Sequence, residues 1–378
     1  MKILLVKLSS LGDVVHALPV VQDICFAMPD AQIDWVVEKS FAPVLALNPG
    51  LHRIIPCEIR RWRKSPLSAA TRRQWSDFKA ALQQTPYDAV IDLQGLTKSA
   101  VVARLAQLAP GGKRYALANQ TEGSGYEAPT RWMADVAVRI TPHIHAVQRS
   151  RELAARSLGY MLSSSPDFGF KSPLAHVGRL QTATENAANR IAFVHGTSRA
   201  DKEWPLAHWI ALGRRFKAAG WQVALAHGSA KEQATSQAIA DALNECEPAA
   251  GPAQGGFGPF GGQRAGHGGQ ELRHAIVWPL LALDALAQEL AQCAGVIGVD
   301  SGVSHIAVAL DLPHVQLYNF DTAWRTGPDS AARRQASVFA QPAPGVDAVW
   351  QAWLACLEPV KGEPSDLSGS PDAGAGAS

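Results

Sequence analysis

Short apolar runs alternate with helix-spaced apolar patterns, and after a break the alternation starts again; that rhythm constrains the fold more than any other feature. Residues 3–8 are apolar except for Lys7, and the following Val14, Leu18, Val21 and Cys25 share one helical face. The strand signal recurs at 33–37 and at 87–93, where Gln94-Gly95-Leu96 opens a helix from about Thr97. Between about 160 and 189 the rhythm lapses around Ser163-Ser164-Ser165-Pro166, which predicts an interdomain linker. Beyond it, strands are predicted at 190–194, 222–226, 275–278 and 295–299, with helices at 205–218 and 230–243. Strands alternating with helices build βαβ units and parallel sheets. The chain is therefore read as α/β, two lobes with a cleft between them, and ligands of such sheets bind beyond the carboxyl ends of the strands.

A length of 378 residues suits two domains, and 47% apolar with 18% charged residues excludes a chain disordered throughout. A net charge of +2 argues against a sequence-blind nucleic-acid coat. Five cysteines, Cys25, Cys57, Cys246, Cys293 and Cys356, lack CxxC spacing and fit a reducing compartment better than a disulfide framework. The apolar start, interrupted by Lys7 and without a small-residue cleavage site, reads as a buried strand. No run approaches the roughly 20 residues that span a bilayer. Residues 251–269 hold nine of 32 glycines and predict an inserted loop, and the Gly/Ser/Ala/Pro/Asp-rich end from Gly362 predicts a disordered tail.

Four segments carry candidate chemistry. Ser9-Ser10-Leu11-Gly12-Asp13 joins a strand to a helix, where a carboxylate is favoured by the helix dipole; Asp13 is either a functional group or a helix cap. The loop lacks both GxGxxG and GK[ST], which disfavours a nicotinamide dehydrogenase and a P-loop enzyme. His195-Gly196-Thr197-Ser198-Arg199-Ala200-Asp201-Lys202 offers hydroxyls, backbone N–H groups and a lysine to a pyrophosphate, or is a solvated surface loop. Asp300-Ser301-Gly302-Val303-Ser304-His305 opens a helix whose N–H groups suit a second anion contact. Arg60, Arg61, Arg63, Lys64, Arg72 and Arg73 form the one concentrated basic cluster, either a solvated face or a dock for an anionic acceptor at a membrane surface. Nucleic acid is the weaker partner because no binding module accompanies it. No DxD spacing and no metal-ligand motif is present, so no metal is expected.

Taken in order, MKILLVKLSSLGDVVHALP, YDAVIDLQGLTKSA, HGTSRADKEWP and GVDSGVSHIAVAL resemble the lipopolysaccharide heptosyltransferases of glycosyltransferase family 9, most closely the type I enzymes. That resemblance implies a GT-B architecture of two Rossmann-like lobes. It implies inverting transfer of L-glycero-D-manno-heptose from ADP-heptose, a co-substrate rather than a cofactor, to Kdo of Kdo-lipid A. The alternatives are a type II heptosyltransferase, another nucleotide-sugar transferase of this fold or, from a different class, a two-lobed solute-binding protein. By the same resemblance Asp13 is the catalytic base. Thr197, Ser198, Lys202, Glu232, Leu281, Asp300, Ser301, Gly302, Val303 and His305 bind the donor, and Ser10, Gly12, Arg60, Arg61, Arg63, Gln94 and Lys98 bind the acceptor. The implied domains are 1–172 for the acceptor and 173–360 for the donor, with an insertion at about 247–274 and a tail at 361–378. The resemblance places the enzyme in the cytoplasm, peripheral on the inner membrane, facing an anionic glycolipid. It weakens around Asn119 to Arg131, and the family's commoner Thr after Asp300 is Ser301 here.

Overall fold

The computed structural model describes residues 1–162, 165–170, 189–245, 273–329 and 334–358. Two six-stranded sheets form its layers. The first contains β1 (Lys2–Val6), β2 (Gln32–Glu38), β3 (Arg53–Cys57), β4 (Tyr87–Asp92), β5 (Leu108–Leu117) and β6 (Val136–Val138), in the order 3-2-1-4-5-6. The second contains β7 (Arg190–Val194), β8 (Gln222–Leu225), β9 (Ala275–Val277), β10 (Gly295–Val299), β11 (His314–Tyr318) and β12 (Gln335–Phe339), in the order 12-11-10-7-8-9. Counted within its own lobe, the second order is again 3-2-1-4-5-6. All neighbouring strands are parallel, so both lobes are doubly wound and each has a switch point beside its first strand: between β1 and β4, and between β7 and β10.

Burial on both faces explains why the central strands read as apolar runs rather than alternations. Ile3, Leu4, Leu5 and Val6 are all fully buried, as are Ile191, Ala192 and Phe193. Three of the strands that the sequence pattern missed have visible reasons. In β5, Pro110-Gly111-Gly112 reads as a turn, yet the chain passes through it as an irregularity in the β4–β5 register, with Gly111 at φ +80°. β12 lies at a sheet edge, half exposed, and β11 carries His314 and Gln316 inside an otherwise apolar run. The apolar stripe read as one helix beyond Val14 is two helices, Leu11–Ala17 and Pro19–Ala27, because Pro19 starts a new one at its first turn. Most of the expected linker, the glycine-rich insertion, the tail and the 172/173 boundary lie outside the described residues.

The two lobes share one apolar cluster that runs from Ile3, Leu5 and Val21 through Leu286 and Leu290 to Val296 and Ile306. The Ala146–Leu158 helix packs across both Leu11–Ala17 and Pro19–Ala27. Arg151 on that helix is fully buried and grips Asp23 of Pro19–Ala27 with two hydrogen bonds of 2.8 Å, one to each carboxylate oxygen. Removing the carboxylate takes a buried cation's bidentate acceptor away, so Asp23→Ala is expected to cost about 3–5 kcal/mol. Urea denaturation measures it, and a loss below about 1 kcal/mol contradicts the assignment.

Candidate active site

The two switch points meet across the cleft through the first turns of two helices. Leu11–Ala17 leaves β1 and Gly302–Ala309 leaves β10, the latter capped by Ser301, whose Oγ accepts the Ser304 N–H at 3.4 Å. A Cβ on Gly12 would lie 2.8 Å from His305 Cδ2, and one on Gly302 would lie 2.7 Å from Leu11 Cβ. Side chains at these positions would force the helices apart, so both glycines are required by close approach. The His16 and His305 rings meet beside this crossing in a tilted contact, with centroids 4.1 Å apart and planes at 52°.

Asp13 sits in the first turn of its helix and reaches back to Ser10. Its Oδ2 accepts from the Ser10 backbone N–H at 3.1 Å and from Ser10 Oγ at 2.8 Å. Its Oδ1 faces Lys7 Nζ at 3.5 Å and Arg149 at 3.7 Å. Burial pushes the Asp13 carboxyl up, but Lys7, Arg149 and Ser10 outweigh it and hold the group well below the usual carboxylate range. Asp13 is therefore an ionised acceptor that retains access, with its side chain 40% exposed. Lys7 follows β1 with its backbone N–H still on the Val36 carbonyl of β2 at 3.3 Å; its Nζ donates to the Leu93 carbonyl at 3.2 Å, and burial brings the ammonium down to about 8.

Across the cleft, Asp300 ends β10. Lys202 Nζ lies 2.5 Å from Asp300 Oδ2, and His305 Nε2 lies 3.5 Å from Oδ1. Burial opposes ionisation of Asp300, but His305 and Lys202 prevail and hold it below the usual range. Beside this pair lies a cavity of about 330 Å³, lined among others by His195, Thr197, Ser198, Trp204, Lys231 and Glu232. Glu232 Oε2 accepts the Gly228 N–H at 2.6 Å, and a Cβ on Gly196 would lie 2.6 Å from the Glu232 carboxyl carbon, so the carboxylate closes the cavity against the β7 loop. Thr197, Ser198 and Glu232 thus come together, with Lys202 and Asp300 next to them.

The sequence profile of glycosyltransferase family 9 (heptosyltransferase) matches residues 75–252 and 262–349. The chain belongs to glycosyltransferase family 9. It is 36% identical over 326 residues to lipopolysaccharide heptosyltransferase 1 of Pseudomonas aeruginosa, covering 84% of this chain and 78% of that one. The Escherichia coli K12 heptosyltransferase 1 is 34% identical, with 84% and 88% covered, whereas heptosyltransferase 2 of the same strain is 25% identical, with 84% and 82% covered. Among solved structures, the E. coli heptosyltransferase WaaC with ADP superposes with a TM-score of 0.75 at 30% identity, covering 93% of this chain and 98% of that chain. The GT-B arrangement expected from the resemblance is what the fold displays.

Several residues expected to bind the acceptor also make contacts within the protein. Gln94 is buried and its Oε1 accepts the Leu8 N–H at 2.8 Å, which ties the β4 turn to the exit of β1. Gly12 is covered by His305 of the other lobe and is the crossing point. Lys98 Nζ donates to Ser9 Oγ at 2.9 Å, and burial followed by the Arg60 charge lowers its pKa. Arg60, Arg61 and Arg63 are exposed, but Trp62 between them is buried against Trp75 and Phe78, and Arg61 pairs with Glu58 at 2.9 Å, an acid just outside the basic run. Leu281, expected beside the nucleobase, is partly buried against the interlobe cluster and is not among the residues that line this cavity. Sequence reasoning missed Lys7 and Arg149: Lys7 was read as an interruption of a strand, and nothing in the spacing of Arg149 points to Asp13.

Because the glycine crossing fixes the spacing of the lobes, Gly302→Ala is expected to lower kcat/KM by about 10²-fold, the usual effect of a displacement near 1 Å. Steady-state kinetics on folded variant would read it, and activity within threefold of the parent would contradict the spacing role.

Proposed function

We propose that this chain is the heptosyltransferase I of lipopolysaccharide core synthesis, transferring L-glycero-D-manno-heptose from ADP-heptose to Kdo of Kdo-lipid A with inversion. What carries the reading is the pairing of two switch points across one cleft, an ionised carboxylate on one side and a lysine, hydroxyls and a carboxylate-closed cavity on the other. The type 1 relatives' higher identity favours a Kdo acceptor over a heptose-terminated one. Residues 1–172 take the acceptor and 173–360 the donor.

In this mechanism the ADP ribose lies against Glu232, with Leu281 toward the adenine, and the diphosphate meets Thr197, Ser198 and Lys202. The N–H groups that begin the Gly302–Ala309 helix, from Ser301 to Val303, add their partial positive charge as ADP leaves, with His305 behind them. Asp300 orients both Lys202 and the sugar hydroxyls. Asp13 takes the proton of the attacking Kdo hydroxyl. A carboxylate held this far below its usual range is a weak base, so proton transfer accompanies bond formation rather than preceding it. Ser10 fixes the Asp13 carboxylate, while Gly12 lets it approach the donor lobe. No metal is required by this scheme.

Arg60, Arg61, Arg63 and Lys98 receive the anionic glycolipid, which puts the enzyme on the cytoplasmic face of the inner membrane as a peripheral protein. No helix among the described residues is long and apolar enough to cross a membrane.

The test is a transfer assay with ADP-heptose and other nucleotide sugars against acceptors ending in Kdo or in heptose; product only from ADP-heptose and Kdo is expected, and preference for the heptose-terminated acceptor would mark a type II enzyme. Asp13→Asn is expected to slow turnover by about 10²–10⁴-fold with ADP-heptose affinity unchanged, and near-normal turnover would refute its role. Lys202→Ala should weaken donor binding and turnover together; unaltered donor affinity, read by calorimetry, would move the diphosphate site elsewhere.

A further inference from the structure

Arg149 leans on Asp13 without using its donors there. At 3.7 Å from Asp13 Oδ1, its guanidinium makes an ion pair too long for a hydrogen bond. Nη1 donates to Thr121 Oγ1 at 3.3 Å, while Nε is buried and has no hydrogen-bond partner among the described residues. A guanidinium carries five N–H donors in a fork that matches a carboxylate, and an unmet buried donor costs free energy that a bound acceptor group restores. Arg149 is only 7% exposed, so its charge is weakly screened. Arg325, whose own Nε is buried without a hydrogen-bond partner among the described residues, acts on Arg149 as a like charge. The formal charges that act on this corner include Lys7, Lys98, Arg149 and Arg325 against Asp13 and Asp92, an excess of cations.

An acidic acceptor sugar raises a difficulty at this corner. Its carboxylate and Asp13 are like charges, and within a few ångströms they repel unless a cation lies between them. We propose that Arg149 is that cation: it binds a carboxylate on the acceptor sugar while facing Asp13, and so makes the enzyme select an acidic sugar over a neutral one. This selectivity rests on the heptose-transfer reading above and names the residue that reads the acceptor.

The experiment compares kcat/KM for a carboxylate-bearing Kdo acceptor and its carboxyl-reduced, neutral counterpart in the parent enzyme, Arg149→Gln and Arg149→Lys, with ADP affinity by calorimetry as the check on folding. The parent is expected to favour the acidic acceptor by about 10- to 100-fold, a size typical for a charged group in a built site. Arg149→Gln should abolish most of that preference by raising KM for the acidic acceptor; any effect through Asp13 falls on kcat for both acceptors alike, so the ratio of the two acceptors reads the carboxylate contact. Arg149→Lys keeps the charge without the fork and should retain part of the preference. An unchanged preference in Arg149→Gln, or an equal loss on both acceptors, overturns the assignment. Should Arg149→Gln not bind ADP, Arg149→Lys decides: a reduced preference supports the assignment and a full parental preference overturns it. A parent enzyme that uses neither acceptor instead refutes the heptose-transfer reading itself, whereas transfer without any preference refutes only the role of Arg149.

Discussion

Two helix N-termini press together where Gly12 meets His305 and Gly302 meets Leu11, and the rest of the site depends on that contact. Helix starts carry partial positive charge, so bringing two of them face to face is unfavourable by itself. Asp13 in the first turn of one and Asp300 just before the other supply compensating negative charge, and each is kept ionised by its neighbours, Lys7 and Arg149 for Asp13, the His305 contact and Lys202 for Asp300. The same electrostatics that let the lobes approach leave a cleft suited to anions. A nucleotide diphosphate and an acidic sugar fit such a cleft for one physical reason.

The repetition of one sheet order in both lobes divides the labour. Each switch point opens between the first and fourth strands of its sheet, and each places a loop of chemistry there, residues 7–13 on one side and 195–202 with 300–305 on the other. Strands away from the switch points supply the periphery: the short helix Ile59–Trp62 and the following Arg63, after β3, carry the exposed arginines, and the first turn of the Ala230–Asn244 helix, after β8, carries Glu232. The Arg151–Asp23 grip fixes the helix that delivers Arg149, so a buried ion pair away from the cleft sets the position of a cation inside it.

Much of this was legible in the sequence because both-face burial writes central strands as apolar runs, and β7 and β10 fall at the residues where those runs do. The motif loops were legible for a related reason: small residues and hydroxyls at strand ends mark the turns that lead into the next helix. What stayed hidden is long-range or disguised. Arg149 meets Asp13 across 136 positions of sequence, a juxtaposition that no local spacing encodes. The glycines of β5 read as a turn although the ladder runs through them, and Gln94, in a motif that reads as functional, is used to hold Leu8. Trp62 shows the limit of charge-run reading, since a basic cluster can be exposed on its arginines and built around a buried indole.

The central claim is that the two switch points assemble one reaction centre, with base and leaving-group contacts on opposite lobes. A crystal structure holding an unreactive ADP-heptose analogue together with a Kdo acceptor tests it most directly. The account predicts the attacking hydroxyl within hydrogen-bond reach of Asp13, the anomeric carbon between that hydroxyl and the diphosphate, and the diphosphate on Thr197, Ser198 and Lys202. A diphosphate bound away from Lys202, or an acceptor hydroxyl held by a group other than Asp13, would contradict it.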